Sequence, residues 1–510
     1  MRRLLLATIA MTAMAPLAAP ATGWAQDLPT QNLRIALNED GDILDPTLAR
    51  TFVGRIVFAG LCDKLFDINE KLEIVPQLAT GYEYTDPKTI VLHLRPGVTL
   101  HDGTEMDAAA VKYSLDRHAT LTGSARKGEV ASMDHVEVVD KLTVKIVLKA
   151  PSAPFIAQLT DRAGMIVSPK AAEAAGKDFG LHPVCAGPFS FAERVANDHI
   201  TLDRFPGYWD AKNIHFAHVT YRIITDTSVK LANLQAGAVD IAERVAPSDV
   251  GDARKDPKIT IAVYPSLGYD SINVNIDNGP RSKMPLGQSK LVRKAFELSL
   301  DRNAMMQVLN NGLFKATVQA IPSSSPYFNA DLKVPERDVA KAKALLAQAG
   351  VKTPVPVTLG VTTSPLSKQL GEIVQSMAAE AGFEVKVQAT EFASLLSAET
   401  GGDYEATNIG WSGRPDPDGN LYSFMVTGGP LNDAHYSNKD VDAWLEASRA
   451  TTDFATRKAL FAKIVTQIEE DLPVIYLDND SRVTGMSKKI SGFREVPDGM
   501  VRLQGLSLAK

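Results

Sequence analysis

Two periods of apolar residues interleave along the whole chain. Period-two alternation predicts strands over residues 33–37, 89–94 and 143–148. Residues 218–224 are rich in β-branched and aromatic side chains and predict a further strand. Residues 107–117 show helical spacing, Ser168-Pro169 opens a second helix with Ser as cap and Pro in the first turn, and Asp226 caps a third that stops at Gly237. In the second half, strands are predicted over residues 271–276, 355–361, 384–388, 405–409 and 474–477. Helices are predicted over 291–300 and 303–310, broken at Asp301, over 339–349 up to Gly350, and from Ser364-Pro365 to Gly382. Residues 454–470 form a long amphipathic pattern with Leu460, Ile464, Gln467 and Ile468 near one face. The β-α-β succession predicts a parallel unit within an α/β fold.

The N-terminal pattern differs. Arg2 and Arg3 precede a short apolar stretch over residues 4–17, and small residues lead to Gly23-Trp24-Ala25. This order predicts an export signal over residues 1–25, cut before Gln26. The stretch is too short for a membrane-spanning helix and contains Pro16, with Pro20 close behind. No cysteine stands directly after it, and no later segment has a long uninterrupted apolar run. The expectation is a soluble periplasmic protein without membrane insertion. The remainder is too long for one core and predicts two or three lobes. Neither repeats nor low-complexity linkers separate them, so the chain is expected to cross between lobes more than once, as in a hinge.

Composition is ordinary, with 45% hydrophobic and 22% charged residues. A net charge of −6 argues against a nucleic-acid binder. Two cysteines, Cys62 and Cys185, read first as a disulfide in an exported protein, with two separate buried thiols as the alternative. Enzyme signatures are missing: there is no Walker phosphate loop, no G-x-S-x-G elbow and no H-E-x-x-H helix. The sequence therefore predicts no enzyme, no metal and no cofactor.

The most informative stretch runs from Gly410 to Gly419, Gly-Trp-Ser-Gly-Arg-Pro-Asp-Pro-Asp-Gly. Trp411 offers a large apolar wall or a core residue. Arg414 offers a planar fork for a carboxylate or phosphate, or pairs with Asp416 or Asp418 on a surface loop. Asp418 can also cap the helix that follows, and Tyr422 lies in that helix. Tyr269, Asn273 and Asn275 fall at the expected crossover, as ligand contacts or as hinge hydrogen bonds.

The segment Leu94-Arg95-Pro96-Gly97-Val98-Thr99-Leu100-His101-Asp102-Gly103, with the helix after it, resembles the signature of family 5 solute-binding proteins. These are the dipeptide, oligopeptide and nickel receptors of ABC importers. Val75 to Ala79, Ala186-Gly187-Pro188-Phe189, Tyr208-Trp209, residues 231–240, Leu300-Asp301-Arg302 and residues 340–350 are similar to family segments in the same order. The resemblance implies a type II-like periplasmic binding protein, a two-lobed α/β clamp with mixed sheets, hinge crossovers and an extra third lobe. Lobe I is then expected from residues 26–62, 181–270 and 481–510, the additional lobe from 63–180, and lobe II from 271–480. It implies that Cys62 and Cys185 meet at the cleft-side edge of the first lobe. It also implies a monomer that captures a small solute by hinge closure and delivers it to ABC permease and ATPase subunits. In peptide-binding members the position after the Trp-x-Gly element is acidic and pairs with the peptide ammonium; here it is Arg414. This departure predicts a peptide-like or carboxylated solute, for example opine-like, with an anionic group facing Arg414. An exported hydrolase or peptidase and a chemoreceptor-coupled sensor are the competing readings.

Overall fold

Three sheets share most of the strands. The computed structural model describes residues 31–509, and the export signal expected over residues 1–25 lies outside the described residues. The first sheet has seven strands in the order Ile259–Pro265, Ser481–Ser487, Ile241–Ala242, Asn32–Leu37, His218–Ile223, His199–Arg204 and Phe189–Val195. Asn32–Leu37 pairs parallel with both of its neighbours, while the outer pairs are antiparallel. Its buried residues Leu33, Ile35 and Leu37 pack with Phe58, Leu61 and Phe216 in one apolar core.

The second large sheet has six strands in the order Lys315–Ala316, Val474–Asn479, Tyr269–Val274, Ala406–Trp411, Val355–Thr362 and Phe383–Thr390. Val355–Thr362 and Phe383–Thr390 are parallel and joined by the helix Pro365–Glu380. Ser364 caps that helix by accepting from the Ser367 amide, with Pro365 in the first turn. The helix Phe454–Asp471 buries Arg457, Phe461, Ile464, Val465 and Ile468. Its buried stripe thus runs through Phe461 rather than Leu460, one position along from the sequence expectation.

A four-stranded antiparallel sheet, built from Ala79–Asp86, Thr89–Leu94, Thr143–Leu148 and Met133–Asp140, carries its own core. Ile90, Leu92, Leu94, Val144, Ile146 and Leu148 point into it, which is the alternation read from the sequence. The helix Ala108–Thr120 covers this core, started by Asp107, whose carboxylate accepts from the Ala109 and Ala110 amides. The protein is therefore a mixed α/β molecule of two large lobes plus an additional one.

The chain passes from the first large sheet to the second between Pro265 and Tyr269, and returns between Asn479 and Ser481. Gly268 holds the crossing together. A Cβ there would lie 2.5 Å from the Trp411 carbonyl oxygen and 2.7 Å from Asp480 Oδ1, so no larger residue fits. Ser266 binds Asp480 through its hydroxyl and accepts from the Gly268 amide at 2.8 Å, which ties one crossover to the other.

Cys62 ends the helix Phe52–Leu61 and is bonded to Cys185, 123 residues away. The bond anchors the start of the additional lobe to its end, beside the Gly187 amide that donates to the Leu61 carbonyl. A loop of this length contributes about 4–5 kcal/mol in the chain-entropy account. Urea denaturation of the double variant Cys62→Ser, Cys185→Ser is expected to show a loss of that order, and an unchanged midpoint would contradict it.

Candidate functional site

The strand Ala406–Trp411 ends where the crossovers meet, and the loop after it is folded against them. Gly413 takes a positive φ of 77°, and a Cβ on it would fall 2.1 Å from the Leu267 carbonyl oxygen. Asn420 then fixes the loop. Its Oδ1 accepts from the Arg414 amide at 2.8 Å and from Trp411 Nε1 at 3.1 Å, while its Nδ2 donates to the Ala320 carbonyl. Gly419 leaves room for the Arg414 stem, whose Cβ and Cγ would lie 2.6 Å from an added methyl. The Arg414 guanidinium sits 4.7 Å over the Trp411 ring and is only 7% exposed.

From there Arg414 reaches the additional lobe. Its Nη2 lies 3.5 Å from Glu129 Oε1 and its Nε 3.5 Å from Asp161 Oδ2. It pairs with neither Asp416 nor Asp418, so the surface-loop pairing considered from the sequence does not form. Three further arginines surround the same two carboxylates. Arg55, on the helix Phe52–Leu61 of the first lobe, donates through Nε to Asp161 Oδ1 at 3.1 Å. Arg126 binds Glu129 at 2.6 Å and donates to the Ala49 carbonyl. Arg162 donates to the Ala49 and Thr51 carbonyls, with its Nε 3.9 Å from Asp161. Burial by itself would raise the Asp161 carboxyl, but Arg55, Arg414, Arg162 and Arg126 overcome it and hold it well below the usual carboxylate range. Burial and the neighbouring Arg126 push the Arg162 guanidinium well below its ordinary value. This cluster joins the first lobe, the additional lobe and the second lobe at one point.

The other residues singled out in the sequence have their own partners. Asp416 forms a two-pronged pair with Arg457 at 2.8 Å on each prong. Asp418 lies 2.8 Å from Arg449, and burial still pushes its carboxyl up to about 6. It does not cap the helix Asp418–Met425 from outside but begins it. The Tyr422 hydroxyl donates to Glu446 at 2.5 Å, with Arg449 over its ring. Tyr269 is opposite Trp411 in the sheet register and packs edge-on against Tyr476. Asn273 donates to Glu399 at 3.1 Å. Asn275 lies just beyond the end of Tyr269–Val274, and its amide nitrogen donates to the Asn278 and Tyr404 carbonyls inside the second lobe. Of the eight, Trp411 and Arg414 meet at the lobe junction with Tyr269 beside them; Asp416, Asp418, Tyr422, Asn273 and Asn275 do not converge there.

Arg55, Arg126, Glu129, Asp161 and Arg162 were missed by sequence reasoning. One signal existed. Arg55 is the single charge in the otherwise apolar helix Phe-Val-Gly-Arg-Ile-Val-Phe-Ala-Gly-Leu, where a charge is costly unless it has a purpose.

Two lobes joined by tied crossovers, with a charged cluster at their junction, define a solute-capturing clamp. The chain belongs to the bacterial extracellular solute-binding proteins, family 5, whose sequence profile matches residues 73–432. It is the solute-binding component of an ABC importer, and members of this family deliver solutes to the importer's permease and ATPase. The glutathione-binding protein GsiB of Pectobacterium atrosepticum is 29% identical over 489 residues, covering 93% of this chain and 94% of the relative. The periplasmic binding protein AgaA of A. tumefaciens R10, solved with agropinic acid, is 27% identical at a TM-score of 0.83, covering 94% of this chain and 99% of AgaA. DppA of Helicobacter pylori, solved with the peptide STSA, has the same fold, with a TM-score of 0.86 at 23% identity over 95% of this chain and 99% of DppA.

Asn273 brings with it a pH-sensitive neighbour. Burial pushes the Glu399 carboxyl up from 4.5 to about 7, against the opposing hydrogen bonds from Thr407 and Asn273. The folded chain therefore holds a proton there that the unfolded chain releases near pH 4.5. Stability contributed by the protonated form is present below about pH 4.5 and is lost as the pH rises through about 7, by roughly 2–3 kcal/mol. Glu399→Gln is expected to remove most of that decline in chemical denaturation at about pH 5 and about pH 8. A variant with the parent's slope would contradict the assignment.

Proposed function

We propose that the solute is a small carboxylated metabolite, peptide-like or opine-like, held where the two large lobes and the additional lobe meet, with an anionic group on Arg414. The observation that carries this is the position of Arg414. It stands where peptide receptors of the family place an acid, it faces the lobe junction, and it is stacked on Trp411 and largely excluded from solvent. An ammonium group there would be repelled. The two nearby acids offer no substitute, because Asp416 is neutralised by Arg457 and Asp418 by Arg449. Glutathione and agropinic acid, named for the relative and for the neighbour, are both carboxylated metabolites.

On this reading the jaws are residues 26–62, 181–270 and 481–510 on one side and 271–480 on the other, with residues 63–180 as the additional lobe. The protein works as a monomer in the periplasm after loss of residues 1–25, performs no chemistry on its solute, and hands it to permease and ATPase subunits at the inner membrane. Closure is favoured because the solute binds the closed arrangement better than the open one.

Native mass spectrometry of the purified mature protein identifies the solute, and calorimetry then measures it. Arg414→Ala is expected to weaken capture of that solute by roughly 100-fold, in line with loss of one partner from a desolvated charge pair. Equal affinity in parent and variant would contradict this assignment.

A further inference from the structure

We propose that Arg55, Arg126, Arg162 and Arg414 form one dianion site, and that the captured solute places two carboxylates in it. The inference rests on the receptor reading above and adds the charge class of the solute.

Four guanidinium groups face two carboxylates, Glu129 and Asp161, which leaves a surplus of two positive charges. Arg55, Arg126, Arg162 and Arg414 are 4%, 3%, 3% and 7% exposed, so water does not screen that surplus. Hydrogen-bonding capacity is left over as well. Arg55 Nη1, Arg126 Nε and Arg162 Nε are buried donors without a partner, and Glu129 Oε2 is a buried acceptor without one. Several other buried arginines each have a carboxylate partner. Arg117 has Asp45, Arg302 has Glu297, Arg457 has Asp416, and Arg502 has both Asp67 and Asp498. Unpartnered donors also occur on Arg302 and Arg482, so what distinguishes the lobe junction is the excess of guanidinium groups over carboxylates at one point.

The arrangement also says how the negative charge is distributed. Arg55 and Arg162 lie around Asp161, whereas Arg126 lies on Glu129, with Arg414 between the two acids. Two anionic groups separated by a short spacer match this layout better than one compact anion. The free Glu129 oxygen accepts an N–H from the same spacer. An amino- or amido-dicarboxylate meets each of these demands. Arg55, Arg126 and Arg162 become specificity-determining residues that act together with Arg414, and each supplies the fork geometry suited to carboxylates.

The test is calorimetry on the dialysed mature protein with glutathione, N-acetylglutamate, glutathione diethyl ester, alanylalanine and glycerol 3-phosphate. At least one dicarboxylate is expected to bind one-to-one, and the diester at least 100-fold more weakly than its parent acid. Arg126→Gln and Arg162→Gln are each expected to lose at least 10-fold in dicarboxylate affinity. The solute-free melting temperature of Arg162→Gln should equal or exceed the parent's, because the change removes a charge repelled by its neighbours. Arg126→Lys and Arg162→Lys, which keep the charge and lose the fork, should bind with intermediate affinity. Tightest binding by the diester or alanylalanine would overturn the dianion site, and tightest binding by glycerol 3-phosphate, which carries its charge on one compact group, would overturn the placing of two carboxylates; either result leaves the receptor reading intact. Absence of binding by every probe would count against both. Melting temperatures that fall in both Gln variants, with affinity unchanged, would reduce the cluster to a structural ion-pair network and also overturn the proposal.

Discussion

The contact of Arg414 with Glu129 and Asp161 is the constraint around which the molecule is organised. It is the point where a loop of the second lobe, a turn of the additional lobe and, through Arg55, a helix of the first lobe touch by charge. Several local features exist to deliver it. Gly413 lets the loop press on the crossover at Leu267, Gly419 makes room for the arginine stem, and Asn420 holds both Trp411 and the Arg414 amide. Desolvation makes such a cluster costly when its charges do not balance. The same low dielectric makes a matching anion bind strongly. A clamp whose jaws meet through unbalanced charge closes most favourably when a solute of opposite charge lies between them.

The lobes themselves are held by ordinary means, and these were the parts legible in the sequence. Strict alternation at Thr89–Leu94 and Thr143–Leu148 specified a one-sided sheet, and caps at Asp107, Asp226 and Ser364 began helices where expected. The crossover was expected around Tyr269 to Asn275, and the chain passes between the two large sheets from Pro265 to Tyr269. Signals of this kind are local, set by residues within a turn or two of each other. The disulfide came from compartment and from family likeness, and Cys62 and Cys185 are bonded in the structure.

The site was legible only in part, because charge partners come from positions far apart in sequence. Trp411 and Arg414 were visible as a chemically unusual loop. Their partners Glu129 and Asp161 lie roughly 250 to 290 residues upstream in ordinary-looking stretches, and nothing local distinguishes them. Asp416, Asp418 and Tyr422 were drawn in by proximity to Arg414, but the bend at Asp416 and the helix that follows turn them toward Arg457, Arg449 and Glu446. Asn275 misled through a strand assumed to run on through Ile276. The strand stops at Val274, and the asparagine closes a turn inside the second lobe instead.

Closure around a solute is the central claim, and a distance between lobes tests it most directly. Spin labels at Val138 on the additional lobe and Leu431 on the second lobe, both exposed, allow the separation to be read by pulsed dipolar spectroscopy. The account predicts that a saturating carboxylated solute shortens and narrows that distance distribution relative to the solute-free protein. An identical distribution with and without bound solute would contradict it.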